Sequence, residues 1–108
     1  MSNGPSVPHR IKWHPDARTD LYALYDWIAG QAGEDIAYRF TARIEKHVDA
    51  LTMFPARGTP RDDLVAGLRT ITYRRQTIIT YQIVGDIVEI LGIFHGGRDL
   101  GGLFVSGE

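Results

Sequence analysis

Polar and apolar positions change their period twice along this 108-residue chain. The segment RIKWH, residues 10–14, alternates Ile11 and Trp13 with Arg10 and Lys12, and a period of two predicts a short strand. The period then lengthens. Ala17, Leu21, Leu24 and Ile28 recur at steps of four, three and four, which places them on one face of a helix over about residues 16–31. Pro15 suits the first helical position, and Asp16 and Asp20 favour the positive end of the helix. Gly30 and Gly33 break the pattern, and Glu34 with Asp35 opens a second stripe of Ala37, Phe40, Ile44, Val48 and Leu51. Two helices of similar length joined by a few glycine-rich residues predict an antiparallel hairpin.

FPARGTPRDD, residues 54–63, is a turn-rich connection in which Pro55, Gly58 and Pro60 stop the second helix. Beyond it the strand period returns. GLRTITY and TIITYQIV are rich in Ile, Thr and Tyr, and Gly85-Asp86 forms a two-residue hairpin turn before IVEILGIFH. Three sequential antiparallel strands are the simplest arrangement. The last two are apolar on both faces: Ile79, Tyr81 and Ile83 oppose Ile78 and Val84, and Leu91 and Ile93 oppose Val88, Ile90 and Phe94. One helical layer leaves one such face open, so a returning tail or a partner is expected to cover it. The predicted class is α+β, in the order β-α-α-β-β-β.

Composition narrows the picture to one small soluble domain. With 44% hydrophobic and 23% charged residues and no run of about 18 apolar residues, a membrane span is excluded. Residues 1–8 read as a flexible leader with no apolar core of a secretory signal, leaving 9–108 as a single domain expected in the cytoplasm. The absence of cysteine removes disulfides, thiol nucleophiles and thiolate metal sites. The net charge of −1 hides an uneven distribution: between positions 57 and 75 five arginines face two acids, while residues 1–54 hold six basic and seven acidic side chains. Ten of the twelve cations are arginine, which favours fixed hydrogen-bond forks on carboxylate or phosphate.

Four histidines invite a metal, but none is paired with another histidine or a carboxylate at a ligand spacing; His47 reads as an edge-of-stripe helix residue. No nucleotide-binding fingerprint occurs either, and no cofactor is expected. What remains is a set that a sheet could gather: Arg61, Arg69, Arg74, Arg75, Tyr81, His95 and Arg98. RNA cleavage by a 2′-hydroxyl needs a general base, a general acid and cations on the phosphate, and His95 with the arginines could supply them. The structural alternative packs Tyr81 in the core, uses Arg69 in an ion pair, and makes residues 95–98 a strand terminator whose glycines relax the backbone.

In this order, the helix opening HPDARTDLYALYDWI, the turn FPARG, GLRTITY and TIITYQIVGDIVEILGIFHGGRD resemble the ParE branch of the RelE/ParE superfamily, toxins of bacterial type II toxin–antitoxin modules. The resemblance spans about residues 11–100 and implies a helical hairpin packed on a small antiparallel sheet. RelE-like members are implied to cleave messenger RNA on the ribosome, which would make His95, Arg61, Arg69, Arg75 and Tyr81 the catalytic candidates. ParE-like members are implied to lack that set and to inhibit DNA gyrase as protein ligands. Docking on ribosomal RNA calls for strong positive charge, whereas this chain has two lysines, and DLGGLFVSGE after Arg98 contains no tyrosine, lysine or histidine. The ending HGGRD is also similar to the ParE pattern. The resemblance therefore implies a gyrase-directed toxin neutralised by a cognate antitoxin, with operator DNA bound only through that antitoxin. Arg69, Tyr81, Arg98, Leu103 and Phe104 are the partner-contact candidates. A degenerate member that keeps only antitoxin binding and autorepression is the third reading.

Overall fold

The computed structural model describes residues 8–96. Strand β1 (Arg10–Trp13) leads into helices α1 (Pro15–Ala32) and α2 (Glu34–Asp49), and two 3-10 turns then reach β2 (Thr59–Pro60), β3 (Arg69–Tyr73), β4 (Thr77–Val84) and β5 (Ile87–His95). The five strands form one sheet in the order β1-β5-β4-β3-β2. The sheet is mixed, because β1 pairs with β5 in parallel while every other pairing is antiparallel. Two features thus depart from the predicted antiparallel sheet. The helical hairpin carries the chain across the sheet, so β1 ends on the far side of β5 in the parallel sense. The turn-rich connection also contributes a two-residue edge strand, where the missing N–H of Pro60 costs no central ladder bond.

The helix stripes behave as their spacing predicts. Ala17, Leu21, Leu24 and Ile28 of α1 are buried, as are Ala37, Ile44 and Val48 of α2 and Leu51 just beyond it. They meet Ile71, Ile79, Tyr81, Val88, Ile90 and Ile93 from the sheet in one core. Each large apolar side chain removed from water there contributes about 1.5–3 kcal/mol. Gly30 lies inside α1, so Gly33 alone makes the turn: its φ of +98° suits glycine, and its amide bonds to Ala29 O at 2.9 Å. At the other end of α1, His14 Nδ1 accepts from the Asp16 amide at 3.0 Å, and Pro15 occupies the first turn.

The second face of β4 and β5 is only half covered. Ile78, Leu91 and Phe94 are half-buried and Val84 is exposed. Val65 and Leu68 from the connection before β3 border that face next to Thr80, Leu91 and Phe94. The ladder between β4 and β5 breaks once, at Thr80/Tyr81, where Leu91 is the extra residue of a bulge. The bulge overturns the alternation expected for β5: Ile93 joins Val88 and Ile90 in the core instead of opposing them, and Phe94 pairs with Ile78 on the second face.

Candidate functional site

The candidate residues fall at opposite ends of the sheet. Arg69 pairs with Tyr81 at one end of β3, and Tyr73 with Thr77 at the other, where Thr77 in turn pairs with His95. Four residue steps along β3 separate the two ends, about 13 Å.

At the first end the polar groups hold the fold together. Tyr81 is fully buried; its hydroxyl donates to Pro55 O at 2.6 Å and accepts from the Gly58 amide at 2.9 Å. Arg69 Nη1 donates to Ala56 O and Gly58 O at 3.1 and 2.9 Å. Together they pin the turn after α2 to the sheet. Burial pushes the Tyr81 phenol above its usual value, against the opposing pull of the Gly58 amide and of Arg69 and Arg57. Arg61 forks onto Asp63 with two bonds of 3.0 Å, which holds that carboxyl below the usual carboxylate range.

At the second end a row of rings closes the sheet. His95 packs 5.5 Å from Trp27 and 5.8 Å from Phe40; Phe40 meets Tyr73 edge-on at 5.4 Å, and Tyr73 lies 5.6 Å from His47. Nδ1 of His95 shares a 2.8 Å hydrogen bond with Thr77 Oγ1. Burial lowers the His95 pKa, which favours the neutral ring. Beside it, residues 74–76 connect β3 to β4 through two arginines with positive φ, Arg74 at +53° and Arg75 at +67°. The Gln76 amide donates to Arg74 O at 2.7 Å, which makes Arg75 the centre of a positive-φ γ-turn, the rare and strained form.

A furrow runs from this end along α1. β1 covers β5 only as far as Ile90, and beyond that point Asp20 Oδ2 accepts the Ile93 amide at 3.0 Å. Between α1 and this edge lies an open cleft of about 640 Å³ lined by Leu24, Trp27, Phe94 and His95 among others. A second hollow of about 500 Å³ shares Asp20 and Phe94 with it and continues over Leu91 and Thr80. Trp27 is 56% exposed at the wall, an unusual placement for so large an apolar ring.

The structure therefore brings His95 and Arg75 to one end and Arg61, Arg69 and Tyr81 to the other. Arg98, Leu103 and Phe104 lie outside the described residues. Sequence reasoning missed Trp27, whose available signal was its position next to Ile28, off the apolar stripe. It also missed Asp20, assigned there to the helix dipole when its carboxylate in fact caps β5. Among the described residues, no three of His, Asp and Glu gather to hold a metal, and no helix is long and apolar enough to cross a membrane.

A family model described as the ParE toxin of the type II toxin–antitoxin system ParDE matches residues 11–100. Among solved structures, a chain of the chromosomal ParDE system from P. aeruginosa is 28% identical and superposes with a TM-score of 0.73, covering 83% of this chain and 98% of that one. A chain of the toxin–antitoxin complex RelBE2 from Mycobacterium tuberculosis shares the fold, with 23% identity, a TM-score of 0.66 and coverage of 89% and 100%. No curated protein matches the sequence.

Proposed function

The chain belongs to the ParE toxin family of type II toxin–antitoxin systems, and from that membership we propose that it inhibits DNA gyrase as a protein ligand until a cognate antitoxin binds it. The observation that carries this reading is the separation of the nuclease candidates. Phosphodiester cleavage needs its acid, base and phosphate cations within hydrogen-bond reach of one reacting group. Here Tyr81 commits its hydroxyl and Arg69 its Nη1 to the turn carrying Gly58, while His95 and Arg75 stand a strand's length away. A ligand that acts by occupying a surface has no need of such convergence.

The furrow along β5 is the seat assigned to the antitoxin. Its apolar walls, the exposed Trp27 and the half-covered Phe94 suit a chain that buries apolar surface as it orders. Both partners meet in the cytoplasm in this reading, and operator recognition belongs to the antitoxin.

The test is a supercoiling assay with purified gyrase and toxin, scored for inhibition and for accumulated cleaved DNA, with antitoxin added back. Inhibition that the antitoxin relieves is the expected result. Protein that arrests growth yet leaves gyrase untouched overturns the reading and turns attention to translation-dependent RNA cleavage.

A further inference from the structure

The arginines and the lysine of α2 are not scattered. Arg39, Arg43 and Lys46 recur at steps of four and three, so they line one exposed stripe of the helix. Glu45, the acid between Arg39 and Lys46, is occupied elsewhere: Arg18 Nη1 holds its Oε2 at 3.2 Å. The exposed Asp35 and Asp49 bound the stripe at its two ends. The stripe continues onto the sheet. One hollow is lined by Arg43, Lys46, His47 and Tyr73, and a neighbouring one by His47, Arg57 and the β3 backbone from Thr70 to Thr72. Arg74 lies against Tyr73, its guanidinium 5.6 Å from the ring centroid, and Arg75 follows at the hairpin tip. Among the described residues, no acid pairs with Arg39, Arg43, Lys46, Arg57, Arg74 or Arg75.

We propose that this face is a sequence-independent binding site for the phosphate backbone of duplex DNA. The chain's net charge of −1 makes the segregation meaningful, since the cations here are gathered on one face of a protein with no overall excess of them. Arg39 to Lys46 spans about 10 Å of helix axis, and duplex DNA offers a phosphate about every 3.4 Å along each strand. Several phosphates therefore fall within reach of the stripe.

Two alternatives fit less well. An acidic peptide adding to the open edge of β3 meets the His47 ring, whose Nε2 lies 3.0 Å from Thr72 O and blocks that edge. Single-stranded nucleic acid calls for exposed ring faces on which bases stack. Tyr73, an aromatic side chain lining this face, is instead half-buried and packed against Phe40, His47 and Arg74. Positive φ at both Arg74 and Arg75 is a further pointer. A hairpin turn selected for stability places asparagine and glycine there, and local rules tend to be broken where a site needs particular side chains.

This site goes beyond the gyrase reading and is independent of it, so its test uses the toxin and DNA alone. Fluorescence anisotropy of a short labelled duplex is measured against salt for the wild type, for Arg43→Glu with Lys46→Glu, and for Arg10→Glu with Lys12→Glu. The last pair makes the same change in net charge on β1, at the opposite edge of the sheet. Four or five neutralised phosphates give a log–log salt slope of about −4, and the α2 pair should cut affinity by about tenfold or more and flatten the slope by about two. The β1 pair should change affinity by less than about twofold. Thermal melting checks that each variant folds, and Arg43→Gln with Lys46→Gln replaces the reversal if it does not. Absence of binding at about 50 mM salt, or equal loss from both pairs, overturns the proposal. Tighter binding of single-stranded RNA overturns the assignment to duplex DNA.

Discussion

The Tyr81 hydroxyl lies 2.9 Å from the Gly58 amide and accepts its proton, tying the turn after α2 to the centre of β4. Gly58 has an ordinary extended conformation, so the requirement for glycine there is one of space. A methyl group would sit against the Tyr81 ring and hydroxyl and 2.9 Å from Thr70 O, which is backbone and cannot swing aside. Gly58→Ala should cost about 1–3 kcal/mol from overpacking. Tyr81→Phe should cost about 1–3 kcal/mol by leaving the buried Gly58 amide without its acceptor. Urea unfolding measures both, and wild-type midpoints for the two variants would show that the contact contributes nothing.

Asp20 of α1 accepts the Ile93 amide of β5 at 3.0 Å, where β1 no longer covers that strand. A hydrogen bond to a charged acceptor contributes about 1.5–3 kcal/mol. Asp20→Ala should lose that amount and expose the Ile93 amide to faster hydrogen exchange. Asp20→Asn, which retains an oxygen acceptor, should recover part of both. Unchanged exchange at Ile93 in the alanine variant would contradict the capping role.

His95 gives the protein a pH dependence with a definite sign. Burial lowers its pKa in the folded state, so the unfolded chain binds that proton more tightly. The stability it contributes is complete above the unfolded value of about 6.5, declines as pH falls toward the folded value, and levels off below it. His95→Gln should flatten this slope in melts taken from neutral to mildly acidic pH. A wild-type slope of the same steepness in that variant would assign the effect to other groups.

Arg75 sets local stability against surface charge. Its φ of +67° costs about 1–2 kcal/mol relative to an allowed conformation, a strain that glycine does not carry. Arg75→Gly should therefore raise the melting temperature while making the salt dependence of DNA binding shallower by about one unit. Destabilisation would mean that the arginine makes contacts outweighing its strain.

The helices were legible from one-dimensional period because the buried face of a helix is a local property: residues 17, 21, 24 and 28 share a side wherever the helix docks. The faces of β4 followed from their period of two for the same reason, but in β5 the bulge at Leu91 interrupts the period and brings Ile93 onto the core face with Val88 and Ile90, which strict alternation had set opposite it. Strand neighbours did not. Nothing within RIKWH distinguishes a parallel pairing with β5 from a hairpin edge, because that choice is made by how the helical hairpin carries the chain across the sheet. The candidate site divided along the same line. His95 and the arginines were visible as residue types, but register decides which of them meet, and it placed His95 opposite Thr77 and Arg69 opposite Tyr81. Contacts such as Asp20 with Ile93, 73 residues apart, depend on a close approach that exists only once the layers have packed. The sequence by itself determined which faces of the helices and of β4 are buried and which family the chain resembles, whereas the tertiary structure alone decided the faces of β5 beyond its bulge and which polar groups stand together.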